Sequence, residues 1–107
     1  MKIFPSIIKG VLQDRCDLKL ELIDAGFADS FITDLYIPRN DTVVEIKLRD
    51  DGLLDVQVWY GPSVMNGKVF DPHNNDFLDE FRTHLMVYCS NEEVHMRYPK
   101  SEETRNN

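Results

Sequence analysis

Two adjacent stretches in the middle of the chain, 42–49 and 53–60, alternate hydrophobic and polar side chains. Alternation with a period of two is typical of strands that bury one face, because successive side chains of a strand point to opposite sides of a sheet. The residues between the stretches, Asp50-Asp51-Gly52, are typical turn residues. The pattern therefore predicts a central β-hairpin.

The same alternation predicts the register of this hairpin. A two-residue turn would place Leu48 opposite Asp55, and each face would then mix hydrophobic and polar side chains. A three-residue loop instead places Leu48 opposite Leu54 and Val43 opposite Trp59, which makes both faces consistent. Such a loop needs a residue with positive φ, and Gly52 suits that position.

Two other stretches show helical spacing. In 6–14 the hydrophobic residues form one face of a short helix, and Pro5 suits a helix start just before it. In 76–90 the hydrophobic residues again fall on one stripe. We expect the side chain of Asn75 or Asp76 to provide the capping oxygen of this second helix.

The remaining segments are less distinctive. Alternation over 18–22 favours a strand, although a continuing helix also fits, and 27–37 fits both a helix and a strand. The dipeptide Asn66-Gly67 is a type I′ turn signal, so we expect a third strand near 68–71. Alternation over 94–98 predicts a final short strand.

Strands linked by hairpins, with few helical crossovers, are typical of the α+β class. The sequence predicts a mainly antiparallel sheet built around the central hairpin, with two or three helices that include those at about 6–14 and 76–90. One globular domain would cover 1–99, because 107 residues are too few for two cores. The polar residues 100–107 predict a disordered tail.

Charge narrows the range of functions. The chain holds 19 acidic and 12 basic residues, a net charge of −7. A general nucleic-acid binder needs a basic face, so we expect no nucleic-acid binding. No hydrophobic run reaches the roughly 18 residues of a membrane span, and no signal peptide is readable. The two cysteines, Cys16 and Cys89, fit reduced, unbridged thiols, and we expect a cytoplasmic protein.

Motifs for catalysis, metals and cofactors are missing from the sequence. Ser63 lacks the glycine pattern of a nucleophile elbow. The three histidines, His73, His84 and His95, lack the short spacing of a zinc motif. We therefore expect a binding protein without metal or cofactor, and not an enzyme. The alternative is a small enzyme or ligand-binding domain with a pocket between the sheet and the helices.

The negative charge is concentrated in residues 41–80, where nine acids and three bases give a net charge of −6. Such a segment is either a solvated face or a docking surface that speeds the approach of a basic partner. Trp59 also lies in this segment. It is either a core residue beneath a helix or an exposed anchor, and the availability of two helices favours the core interpretation.

The short single domain, the net charge of −7 and the acidic segment from Asp41 to Glu80 resemble the small acidic immunity proteins with which bacteria neutralise nuclease toxins, of the contact-dependent inhibition or colicin type. The resemblance implies a one-to-one complex in which a basic toxin domain has its active site covered. A phage-type inhibitor or nucleic-acid mimic is the alternative among binding proteins. We expect carboxylates to bind the partner, with two aromatic residues as anchors: Asp50, Asp51, Asp55, Asp71, Asp76, Asp79 and Glu80, with Trp59 and Tyr60.

Overall fold

The computed structural model describes residues 3–14, 18–23 and 32–97. Within these ranges it has two α-helices and six β-strands, which confirms the predicted α+β class. A single 3₁₀ turn, Pro38–Asn40, connects the second strand to the third. In chain order the elements are α1 (Ile3–Gln13), β1 (Lys19–Ile23), β2 (Ile32–Ile37), β3 (Thr42–Leu48), β4 (Leu54–Tyr60), β5 (Ser63–Phe70), α2 (Phe77–Cys89) and β6 (Glu93–Arg97).

The six strands form one sheet in the order β1-β6-β2-β3-β4-β5. Every neighbouring pair is antiparallel except β1 and β6, which run parallel. The chain reaches β6 through α2, which leads from the β5 edge back to the other side of the sheet. The sheet is thus mainly antiparallel, as expected, with one parallel pair near its edge.

Both helices bury their hydrophobic stripes against the same face of the sheet. Ile8 and Leu12 of α1 and Phe81 and Leu85 of α2 are fully buried in the same cluster as alternate residues of the strands. We call the opposite side of the sheet the open face, because both described helices pack on the other side. The strand residues of the core are Leu35, Ile37, Val44, Ile46, Leu54, Val56, Val58, Phe70, Val94 and Met96.

Arg82 links the two helices. Its Nε donates a hydrogen bond to the backbone carbonyl of Val11 at 3.2 Å, and its Nη2 lies 3.1 Å from Oδ2 of Asp14. The last carbonyls of a helix lack intrahelical partners and carry partial negative charge. The guanidinium therefore satisfies one carbonyl of the last turn of α1 and stabilises that end of the helix.

The β3–β4 hairpin has the predicted register along its whole length. Leu48 pairs with Leu54, and Val43 pairs with Trp59. The backbone amide of Gly52 donates to the carbonyl oxygen of Arg49 at 3.0 Å, and the φ angle of Gly52 is +87°. These features confirm the three-residue loop with Gly52 in the left-handed region.

The β5 strand contradicts the expected turn at Asn66-Gly67. Both residues lie inside the ladder between β4 and β5, and the strand continues to Phe70. The chain reverses earlier, at Gly61-Pro62, where the φ angle of Gly61 is +53°. A positive φ at the first central position suits a two-residue hairpin turn. Because the chain has already reversed at Gly61-Pro62, Asn66 and Gly67 lie within β5 and form no turn. The strand expected near 68–71 corresponds to the last residues of this longer strand.

The helix starts differ in detail from the prediction. α1 begins at Ile3 and not near residue 6. Pro5 is tolerated inside its first turn because the amide that proline lacks would have no intrahelical partner there. α2 begins as expected, but Asp76 makes no side-chain capping hydrogen bond. The side chain of Asn74 instead accepts the backbone amide of Asp76 at 3.1 Å, so the turn before the helix is closed by the preceding asparagine.

The other segments resolve the alternatives left by the sequence. Residues 19–23 form a strand and not a continuing helix, and 32–37 also form a strand. The final strand, β6, begins one residue earlier than expected. Residues 24–31, Cys16 and the tail at 100–107 lie outside the described residues. Cys89 is a buried thiol, and none of the described helices is long and apolar enough to cross a membrane.

Candidate functional site

Most of the predicted carboxylates gather at one end of the sheet. Leu54 pairs with Phe70, so the loop before β4 and the loop after β5 leave the sheet side by side. A Cβ atom built on Gly52 would lie 4.0 Å from Cε1 of His73, which places the two loops in contact distance. The first turn of α2 follows the second loop directly. We call this set of residues the acidic end: Asp50, Asp51, Asp71, Asp76, Asp79 and Glu80.

Hydrogen bonds within the loops hold two of these carboxylates. Oδ1 of Asp51 accepts the backbone amide of Leu53 at 3.1 Å, and its Oδ2 lies 2.7 Å from Nη2 of Arg49. Oδ1 of Asp71 accepts the backbone amide of His73 at 3.0 Å. That backbone hydrogen bond is the main reason why the pKa of Asp71 lies below its ordinary value. An aspartate is charged at neutral pH in any case, and the lowered pKa keeps Asp71 charged to a lower pH.

Positive charge is sparse at the acidic end. Arg49 is engaged by Asp51, and Nη1 of Arg82 lies 3.7 Å from Oδ1 of Asp79. Lys68 of β5 lines the same groove as Asp79 and Glu80, so three bases compensate part of the six negative charges at this end. Among the residues that the structure describes, three of the acids have no ion pair within 4.0 Å: Asp50, Asp76 and Glu80.

The other three predicted residues lie on β4 and not in the loops or the helix turn of the acidic end. Asp55 is on the open face, opposite Lys47 of β3. Trp59 and Tyr60 lie at the far end of β4, and at about 3.3 Å per residue this strand separates them from the loop acids by roughly 20 Å. The structure thus brings six of the nine predicted residues together and separates both aromatic residues from them.

Trp59 is not a core residue, so the favoured interpretation of its role is wrong. The two helices lie on one side of the sheet, and Trp59 points to the other. It is half-buried on the open face, between Val43 of β3 and Val64 of β5. The sequence could not exclude a helix on each face, because both helices have a hydrophobic stripe whichever side they cover.

A row of side chains crosses the open face at the level of Trp59. The register places His95 of β6 next to Tyr36 of β2, and the row continues through Val43 to Trp59. The guanidinium carbon of Arg97 lies 4.2 Å from the centroid of the Tyr36 ring, as in a cation–π contact. The sequence analysis did not single out Tyr36, because the alternation in β2 gives its face only once its neighbours in the sheet are known.

A shallow groove between β5 and α2 is the feature that the enzyme alternative would use. Nε2 of His84 is buried and has no hydrogen-bond partner among the described residues, and the ring lies against Phe70 and Tyr88. Burial, together with the positive charge of Lys68, lowers the pKa of His84. A neutral ring nitrogen enclosed by protein is poorly placed to exchange a proton with a ligand. The groove is lined by Lys68, Asp79, Glu80, Thr83, His84 and Val87.

Within the described ranges, no three histidine, cysteine or acidic side chains converge as metal ligands. His73 lies in the loop before α2, His84 on α2 and His95 on β6, so the three imidazoles are distributed over separate elements. No family model, curated protein or solved structure matches this chain. Its function is therefore inferred from the chemistry of its own residues.

Proposed function

We propose that this protein is a binding protein that inhibits a basic partner, and that it acts in the bacterial cytoplasm as an immunity protein against a nuclease toxin. The acidic end is the docking surface. A nuclease holds the phosphates of its substrate with lysine and arginine side chains. The carboxylates of the acidic end take the positions of those phosphates, and the domain covers the active site of one toxin molecule for each chain.

The observation that carries this proposal is the convergence of acids from three segments, 50–51, 71–76 and 79–80, at one end of the sheet. The fields of neighbouring like charges add, and they act over a screening length of about 8 Å at physiological salt. The assignment to immunity proteins itself rests on the resemblance in size and charge.

The open face is a second region that the same partner could contact. A typical stable interface covers about 800 Å² on each protein, which is wide enough to include both a loop cluster and part of a neighbouring face. Trp59 is half-buried on this face, whereas Tyr60 is 48% exposed at the end of the strand and points to the other side, like its partner Thr42. We assign the electrostatic attraction to the acidic end and the role of aromatic anchor on the open face to Trp59.

The first experiment tests the partner. The reading frame adjacent to the gene for this protein is expressed in a bacterial host with and without this protein. We expect growth arrest without this protein, rescue of growth with it, and a one-to-one complex by light scattering. Growth arrest that this protein does not relieve, with no complex formed, would contradict the immunity assignment.

The second experiment tests the acidic end by stopped-flow binding kinetics across a salt series. Asp50→Lys with Asp76→Lys reverses two acids that have no ion pair among the described residues, so we expect the fold to be retained. The control reverses two acids elsewhere, Glu45→Lys with Glu93→Lys, and matches the change in net charge.

We expect the variant at the acidic end to associate about tenfold more slowly than the unmodified protein, with a flatter salt dependence. The association rate of the control should fall much less, because its two acids lie on the open face, to which we assign the anchoring contacts and not the electrostatic attraction. Equal losses in the two variants would mean that only the net charge matters, and the acidic end would then not be the docking surface.

A further inference from the structure

The backbone edge of β5 is uncovered in the part of the chain that the structure describes. β5 is the last strand in the order of the sheet, and residues 63–69 are all exposed. We propose that β5 pairs in antiparallel orientation with β5 of a second copy of this chain. The two six-stranded sheets would then form one continuous sheet across a twofold axis.

This edge carries few of the devices that prevent pairing: one lysine, and one irregularity at Met65, which has no partner in the β4–β5 ladder. Edge strands commonly carry charged residues or proline, or are covered by another element. The other edge strand, β1, has charged residues at Lys19 and Glu21 within five residues. β5 has one charged residue, Lys68, in eight, and its Nζ lies 5.1 Å from the centroid of the Phe70 ring.

The side chain of Asn66, two residues before Lys68, also makes its contact within its own chain. Nδ2 of Asn66 donates a hydrogen bond to the hydroxyl oxygen of Tyr88 on α2 at 2.8 Å. Asn66 and Lys68 are therefore both engaged on the helix side of the sheet. The irregularity of the β4–β5 ladder lies between Val58 and Trp59, so residues 66–70 continue as a regular edge.

Hydrophobic side chains on β5 would be buried by a second strand. Val64, Met65 and Val69 are 51%, 47% and 46% exposed. Burial of apolar surface favours association by roughly 25 cal/mol for each Å² removed from water. Hydrogen bonds between the backbones of the two β5 strands would also stabilise the dimer and fix the relative orientation of the two strands.

Charge selects the antiparallel arrangement of the two copies. Each chain has a net charge of −7, and the acidic end lies at the Phe70 end of β5. Antiparallel pairing places the acidic end of each copy beside the Ser63 end of the other. At about 3.4 Å per residue, the two copies of Asp71 are then roughly 25 Å apart along the strands, well beyond the screening length of about 8 Å. Parallel pairing would bring them together.

The charge of Lys68 also selects the register. Pairing centred on Lys68 would place two lysines directly opposite each other, which is unfavourable. Pairing centred on Gly67 instead places Asn66 opposite Lys68 of the second copy. The contact is small, below about 1,200 Å² in total, so we expect a reversible dimer. Both acidic ends stay accessible, so the dimer does not depend on the proposed inhibition.

The test measures molecular mass by light scattering between about 1 µM and about 500 µM, a range that covers weak dimers. We expect the mass to rise from 12.5 kDa toward twice that value for the unmodified chain. Val69→Lys should keep the protein monomeric over this range. It should still fold, because the new lysine would lie opposite Asp55 of β4. Leu78→Lys is the control: Leu78 is 52% exposed on α2, and this variant should dimerise normally.

A second measurement locates the twofold axis. Gly67→Cys should form a disulfide-linked dimer under mild oxidation, whereas Leu78→Cys should remain monomeric under the same conditions. A monomeric unmodified protein at every concentration overturns the proposal and leaves the edge to a strand of another protein. Dimers that persist in Val69→Lys, or equal cross-linking of the two cysteine variants, also overturn it.

Discussion

The two faces of the sheet are built by the same strands and differ in chemistry. On β4, Val56 and Val58 point toward the helices and are fully buried, whereas Asp55 and Gln57 alternate with them on the open face. The helix-covered face is almost wholly hydrophobic. The open face mixes charged residues with the row that ends at Trp59. The contacts that stabilise the fold are therefore concentrated on one face, which leaves the other face and the acidic end available for partners.

The largest expected effect comes from the helix-covered face. Phe81 is fully buried, and its ring centroid lies 5.2 Å from that of Phe77 and 5.6 Å from that of Phe70. Phe81→Ala should lower the free energy of unfolding by about 3–5 kcal/mol, because it leaves a cavity among these rings. Trp59→Ala on the open face should cost less than about 2 kcal/mol, because its burial is only partial. Urea denaturation measures the free energy of unfolding of both variants, and equal decreases would contradict the expected difference between the two faces.

The hairpin that carries both faces depends on its loop. Gly52→Ala should destabilise the protein by about 1 kcal/mol or more, because a φ angle of +87° is unfavourable for a residue with a Cβ atom. Gly10→Ala is the matched control: Gly10 is exposed within α1, and apart from its chain neighbours and the surrounding helix backbone no described atom lies within 4 Å of its Cβ position. This control should stabilise the protein by about 0.5–1 kcal/mol, since alanine favours a helix. Thermal unfolding measures both changes in stability. If both substitutions changed the stability in the same direction, the result would argue against the loop geometry.

His84 makes the helix-covered side sensitive to pH. Its pKa is lowered by burial and by Lys68, so protonation favours the unfolded state, where the ring is solvated. The contribution to stability is present in full above the ordinary pKa of 6.5 and is lost as the pH falls toward the lowered value. His84→Gln should therefore weaken the loss of stability between about pH 7 and pH 5. NMR titration of the ring provides the direct check, and a pKa above the ordinary value would refute this account.

The smallest expected effect is on the open face. Lys47 lies directly opposite Asp55, and the lysine is exposed. Cross-strand charge pairs at exposed positions contribute little, so Lys47→Ala should change the free energy of unfolding by less than about 0.5 kcal/mol. A loss above 1 kcal/mol in urea denaturation, on the order of that of a half-buried side chain, would show that this face also supports the fold.

The strands could be predicted where one of their faces is buried and the other is exposed. The β3–β4 register could be predicted because one face is buried, and a shift by one residue would have exposed it. β5 is exposed on both sides until Phe70, so no alternation constrained it, and the Asn66-Gly67 signal misled the prediction. Capping also escaped prediction, because Asn74, Asn75 and Asp76 all carry suitable oxygens and the choice depends on the loop conformation.

The sequence predicted which residues form the acidic end, but it could not predict that they lie close together. The sequence identified the acids of 41–80, but their convergence depends on the pairing of Leu54 with Phe70. The same pairing places Trp59 and Tyr60 at the opposite end of β4. Distance along the sequence is therefore a poor guide to distance in space. Asp71 is farther than Tyr60 from the β3–β4 loop in sequence, but it lies closer to that loop in the structure.

The position of β6 has a consequence for the order in which the molecule forms. Among the described strands, β1 pairs with β6 and with no other strand. Their contact closes a loop of about 70 residues, whereas β3, β4 and β5 are joined by short turns and can pair soon after they are made. On the ribosome β1 must wait for β6, which at about 5–20 residues per second takes on the order of ten seconds. During synthesis the earliest of the described strands is therefore among the last of them to dock.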